Sequence, residues 1–403
     1  MSQMNRRRAL QLLAALGTSG LAAGCGSDSG GTAAGSGNPI KIGLIVPGKG
    51  ANKAIGEEIT NGFQLFLSLN DQRLGGHPVT VVSAEEGENA KSGQAAVDRL
   101  LKEGVLALTG VVSSAVMLGI RDSVEQARVP LIGSNASPTS LQSVVYIWRT
   151  SYVLDEPGRA LGQYLHETLP ATSRIAIIAP DSPSSRDVIG GFRKGYEVNG
   201  RRIADEPILT TDDPTPGKGT YVDAIGRALA PGRRPDVIFC HYAGPAAVQF
   251  VKQVYDEGYR GRIYAPGFLT EGTVLTDLES EDATIEKYGI ETALNYSADL
   301  NNTANRVFAS AYRKTYHASP TTYAMASYDA AQVLDKAIRL VGGDPTPQQV
   351  NLALGKIGQV DSPRGPWQFN QPRTPQQKWY LRRVQHDGQL LSNVVINELA
   401  TLG

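Results

Sequence analysis

Several groupings of residues could do chemistry, and most of them lack a required atom. Gly43 to Gly50 reads GLIVPGKG and comes within one residue of a phosphate-binding loop. Gly50 stands where such a loop needs a hydroxyl to hold magnesium, and Leu44–Val46 read as the inside of a strand, so a strand running into a glycine-rich loop is the better account. The histidines, His77, His166, His241, His317 and His386, are dispersed with no pair at metal-ligand spacing and no cysteine cluster beside them. No metal site and no cofactor is expected. Glu85-Glu86-Gly87-Glu88 could bind a cation, but carboxylates beside Gly87 and Asn89 more often form a solvated loop or cap the next helix. A G-x-S-x-G elbow is missing, which leaves a hydrolase triad without its nucleophile. What remains are hydroxyls, amides and aromatic rings on loops, a set suited to holding a molecule, and the chain is not expected to be an enzyme.

The first residues carry an address. Arg6-Arg7-Arg8, an apolar run from Ala9 to Ala23 and small residues ending at Cys25 read as a signal peptide over residues 1–24. The run is too short, and too broken by Gln11, Thr18 and Ser19, to cross a hydrocarbon core that takes roughly 20 apolar residues. Leu21-Ala22-Ala23-Gly24-Cys25 resembles the bacterial lipobox, which implies a lipid on Cys25 and a mature chain that begins there. The arginines resemble a twin-arginine export signal only loosely, and either general or twin-arginine export fits. Residues 25–38 hold small and polar side chains after the cysteine and read as a flexible tether. Cys240, within the apolar run Val237–Cys240, reads as a buried small hydrophobe with no partner for a disulfide.

The chain's 403 residues exceed one ordinary domain, so two lobes are the first expectation. With Lys plus Arg at 39 and Asp plus Glu at 39, no net field draws a nucleic-acid backbone, and nucleic-acid binding is excluded as the main role. From Pro39 onward, β-branched runs alternate with amphipathic stretches. Strands are expected at Lys41–Val46, Val79–Ser83, Val105–Thr109 and Pro130–Ile132, with helices at Ile55–Asn70, Ala90–Lys102 and Ala115–Ala127. The rhythm restarts at Arg174–Ala179 and runs through Ile203–Leu209, Asp236–Cys240 and Arg262–Ala265, with helices at Arg186–Asn199, Tyr221–Ala230 and Ala246–Glu257. Alternation of this kind gives parallel sheets covered by helices, hence an α/β fold. Two more helices, Thr303–Tyr316 and Thr322–Val341, precede a β-rich tail at Trp367–Phe369, Trp379–Gln385 and Leu390–Ile396. The loops beyond the strands' carboxyl ends, where ligands gather in open parallel sheets, include Pro47–Gly56, Gly110–Ala115, Gly133–Thr139, Pro180–Ser185, His241–Pro245 and Pro266–Gly272. His241 is the histidine that falls on one of them.

Taken in order, Pro39–Val46, Asn61-Gly62-Phe63 with Leu74-Gly75-Gly76, Leu108 to Ser114, Val129–Ile132 with Ser137-Pro138, and Ser327 to Ala331 resemble the type I periplasmic binding proteins. The branch is that of the branched-chain amino-acid (Leu/Ile/Val) binding proteins of ABC importers, and the likeness runs from about residue 39 to about residue 397. It implies two Rossmann-like lobes with parallel sheets, joined by three crossovers near Trp148–Val153, Glu291–Tyr296 and Asp361–Trp367. The N-terminal lobe would be 39–150 plus 296–360, and the C-terminal lobe 151–295 plus 361–403. Carried over position by position, the resemblance implies that Ser113 meets a ligand carboxylate and that Ser134, Asn135 and Ala136 complete the grip. Ser184 and Tyr242 or Ala243 would supply walls from the second lobe. The acidic partner of an amino acid's ammonium should fall at Gly267 or Phe268, and neither is acidic. Phe268 suggests an apolar wall, while Glu271, a few residues on, reads as an exposed loop residue or, if the loop is remodelled, as a substitute for that acidic partner.

The implied function is that of a lipid-anchored extracytoplasmic protein that captures a small carboxylate- or amide-bearing solute by hinge closure and passes it to an ABC permease, acting as a monomer. A receptor subunit signalling to a kinase or chemoreceptor would use the same cleft.

Overall fold

The computed structural model describes residues 37–141, 143–211, 221–281, 289–387 and 390–403. The leader, Cys25 and the tether up to residue 36 lie outside the described residues.

Strand β1 (Ile40–Val46) buries Ile42, Leu44 and Ile45 completely, although successive side chains point to opposite faces. A strand covered on both faces belongs inside a parallel sheet. It is followed by α1 (Lys53–Leu69), the short hairpin partner β2 (Arg73–Leu74), β3 (His77–Glu85), α2 (Ala90–Lys102), β4 (Ala107–Gly110), α3 (Ser114–Ala127), β5 (Leu131–Gly133) and β6 (Ile147–Arg149). The sheet order is β2-β3-β1-β4-β5-β6, parallel apart from the β2–β3 pair. Asn89 closes a capping box with Ser92 at the start of α2, so Asn89 is the residue that caps this helix.

The second half repeats the plan. It comprises α4 (Glu156–Thr168), β7 (Ile175–Pro180), α5 (Pro183–Tyr196), β8 (Ile208–Thr210), α6 (Val222–Ala228), β9 (Val237–Cys240), α7 (Gly244–Asp256), β10 (Arg262–Pro266), a 3-10 turn at Gly267–Thr270, α8 (Val274–Glu281) and β11 (Ile290–Leu294). Its order, β8-β7-β9-β10-β11, matches β3-β1-β4-β5-β6 strand for strand. After β11 come α9 (Thr303–Tyr316), α10 (Thr322–Val341) and α11 (Pro347–Leu354). Of these, α10 packs on α1 and β2 of the first lobe. The chain then returns through β12 (Gln368–Phe369) to the hairpin of β13 (Pro375–Asp387) and β14 (Leu390–Leu402), where β13 runs antiparallel to β11. The two lobes are thus joined by three passages: after β6, after β11, and between α11 and β12.

Some expected boundaries move for physical reasons. The strand expected at Ile203–Leu209 begins at Ile208, because Pro207 has no N–H to give the ladder. Ile147–Arg149 pairs with β5 and Ile290–Leu294 with β10, so those crossovers start later than expected, at Thr150 and Asn295. Helix α11 has no counterpart in the sequence reading, although Thr346 and Gln349 form a capping box at its start.

Candidate functional site

The carboxyl ends of the first sheet form one rim of the cleft. At Gly110 the backbone takes φ +106°, and a Cβ there would lie 2.2 Å from the carbonyl oxygen of Ile45, so only glycine lets the chain turn off β4 this tightly. The turn delivers Ser113 as N-cap of α3, its Oγ accepting the N–H of Val116. The N–H groups of Val112 and Ser113 donate to Glu86, at 2.8 Å to Oε2 and 2.7 Å to Oε1. Ser134 is buried and its Oγ has no hydrogen-bond partner; the hydroxyl of Ser137 shares that condition. Asn135 donates from Nδ2 to the carbonyl of Val112, which locks the two loops together. Ala136 packs among Val111, Val116 and Met117 and serves the core.

The opposite rim comes from the second sheet. Ser182 caps α5 by accepting the N–H of Ser185, and its hydroxyl also lies 3.1 Å from that of Ser184 and 3.0 Å from that of Ser185. Ser184 is half-buried, whereas Ser185 is fully buried with its Oγ 3.1 Å from His241 Nδ1. Burial pushes the His241 imidazole down to about 4, so it is neutral at neutral pH. Of the neighbours Tyr242 and Ala243, only Ala243 packs on the central cluster that runs from Leu44 and Val112 to Phe268. Tyr242 turns the other way, stacking on Phe250 of α7 with its hydroxyl 3.0 Å from that of Thr210.

An aromatic wall joins the rims. Phe268 stacks nearly parallel to Tyr323 of α10, with centroids 5.9 Å apart, and lies 5.7 Å from Tyr152 of the first passage. Tyr152 is buried and its hydroxyl is unpaired. Neither tyrosine was singled out from the sequence, since both lie outside the strand-end loops. Glu271, expected to be exposed, is buried: Oε1 lies 2.6 Å from Arg382 Nη1 and Oε2 accepts the N–H of Thr322. An arginine 111 residues away supplies the charge that keeps it inside. The Phe268–Tyr323 and Glu271–Thr322 contacts, with Asp187 accepting the N–H of Thr139 at 2.9 Å, tie the rims together across the cleft.

The passages themselves are pinned by Arg364. It lies 2.6 Å from Asp329 Oδ2 and donates to the carbonyl of Ser151 and to Gln377, which in turn accepts from Asn295. One buried guanidinium therefore touches all three passages directly or through one amide. Among the described residues, no group of three or more His, Cys, Asp or Glu side chains could hold a metal ion, and burial pushes the Cys240 thiol far up.

Two α/β lobes of like topology are joined by three passages, and the Phe268, Tyr323 and Tyr152 rings meet between them. The sequence profile of the family described as periplasmic binding protein matches residues 39–389, and the chain belongs to that family. Its fold is that of the type I periplasmic binding proteins, and the family implies a place outside the cytoplasm. A Leu/Ile/Val-binding protein homolog from Brucella melitensis is 24% identical, covering 86% of this chain and 87% of the relative. A solute-binding protein from R. palustris, solved in complex with benzoate, shares the fold at TM-score 0.80 and 24% identity, over 90% of this chain and 97% of that one. A branched-chain amino-acid binding protein from Streptococcus pneumoniae, solved with isoleucine, aligns at TM-score 0.75 and 18% identity, over 89% and 99% of the two chains.

Proposed function

We propose that this protein is a monomer held at the membrane by a lipid on Cys25, and that it captures a small solute with an aromatic or branched apolar body and a carboxylate or amide head for import. The Phe268–Tyr323–Tyr152 wall carries the reading: three rings from different segments meet between the lobes, and the unpaired hydroxyls of Tyr152 and Ser134 would be available to a polar head. Benzoate in one protein of this fold and isoleucine in another bracket the size and apolarity of such a ligand. Lobes of residues 39–150 plus 296–360 and 151–295 plus 361–403 would close on it. A thermal-shift screen over aromatic acids and amides, branched-chain amino acids and polyols tests the solute. An aromatic or branched compound is expected to raise the melting temperature by mass action, and stabilisation by polyols alone would contradict the reading. For the anchor, Cys25→Ala is expected to move the protein out of the membrane fraction, and full retention there would remove the lipid from the account.

A further inference from the structure

Glu86 occupies the place where an anionic ligand would be most at home. The backbone of this residue ties to β1 through its N–H and the carbonyl of Val46, at 3.1 Å. From there the side chain reaches past the end of β1 to the first amides of α3, and the residue is 1% exposed. Unpaired amides and the dipole at the start of a 14-residue helix favour negative charge. Here that demand is already met by the protein's own carboxylate, one oxygen on Val112 and the other on Ser113. The Ser113 hydroxyl accepts from the N–H of Val116 and keeps its own proton to donate. A ligand carboxylate arriving at this rim would find both amides taken and a like charge beside it, with hydroxyl protons left as donors on these two loops.

The carboxylate is also incompletely satisfied. Two backbone bonds leave acceptor capacity on both oxygens, and among the described residues no lysine, arginine or histidine forms an ion pair with it. Its charged neighbour is Glu85, a like charge, and burial pushes Glu86 up to about 7. A buried acid in that position is stabilised by a donor brought from outside. The adjoining loop adds the unpaired hydroxyl of buried Ser134.

We infer that Glu86 sets the polarity of the ligand's head: the group that meets this end of the cleft is a hydrogen-bond donor, a carboxamide or an ammonium, and not a carboxylate. This rests on the reading of the cleft as a small-solute site; it keeps the amide head and puts an ammonium in place of the carboxylate.

Calorimetric titration of the parent and Glu86→Gln at pH 8 with two matched series tests it: benzoate, benzamide and benzylamine, and isovalerate, isovaleramide and isoamylamine. In at least one series the parent is expected to bind the amide or the amine about tenfold tighter than the carboxylate, with Glu86→Gln losing that preference. The carboxylate binding tightest to the parent, or an unchanged ranking in Glu86→Gln, overturns the inference and leaves the solute-binding reading standing. Failure of every compound to bind the parent overturns both. If Glu86→Gln does not fold, the ranking in the parent decides alone.

Discussion

Glu156 and Glu86 are buried carboxyls that form no ion pair with a cationic side chain among the described residues, and burial is the first cause that raises each of them. Glu156, in the first turn of α4, is pushed up to about 8, with Asp155 adding to the shift and Arg159 opposing it. An acid whose folded pKa lies above its unfolded value near 4.5 contributes stability that is complete below 4.5 and lost as pH rises through about 8. His241 has the opposite sign, costing stability as pH falls from 6.5 towards 4, so the acids act alone only above about 6.5. The melting temperature is therefore expected to fall between pH 6.5 and 9, and Glu156→Gln to flatten that fall. Thermal melts of parent and variant across this range check it. Equal slopes would mean that Glu156 is ionised in the folded protein. At this scale the sequence reading was least complete. Glu85-Glu86-Gly87-Glu88 looks solvated as a string of letters, and what buries Glu86 is a loop 26 residues further on. Glu271 likewise looks exposed until Arg382 is seen to reach it.

The elements were more legible. Helices α2, α9 and α10 begin and end where their periodicity predicts, because Asn89, Asn302 and Thr321 are side-chain N-caps immediately before an amphipathic run. Short strands were harder: β6 and β11 consist of three and five residues, too few to show a period, and their strand character comes from pairing with β5 and β10. The strand-end loops follow the same logic: Ser113 and Ser134 come just after β4 and β5, and Ala243 and Phe268 pack on the central apolar cluster. Tyr242 packs on Phe250 instead, since adjacent residues at the end of a strand face opposite ways. Tyr152 and Tyr323 come from a passage and a helix start, and no local pattern announces that Phe268 will meet both.

The whole molecule is two rigid sheets held by the Arg364 cluster on one side and by small, polar and aromatic contacts across the cleft on the other. The two sides differ in kind. Arg364 and Asp329 are essentially inaccessible and hold the passages through several hydrogen bonds, whereas the rims touch at Thr139–Asp187, Glu271–Thr322 and one ring stack. Opening about the passages would part the second set, together with the apolar contacts that run from Leu44 and Val112 to Phe268, and leave the Arg364 cluster in place. On the proposed reading, a ligand that bridges Phe268 and the first rim would bind the closed state better than the open one, and that difference would shift the population. Small-angle X-ray scattering with and without a saturating ligand from the thermal-shift screen tests this most directly. The radius of gyration is predicted to be larger without ligand and to fall on saturation as the lobes close; an unchanged radius at saturation would contradict closure and leave a rigid pocket in its place.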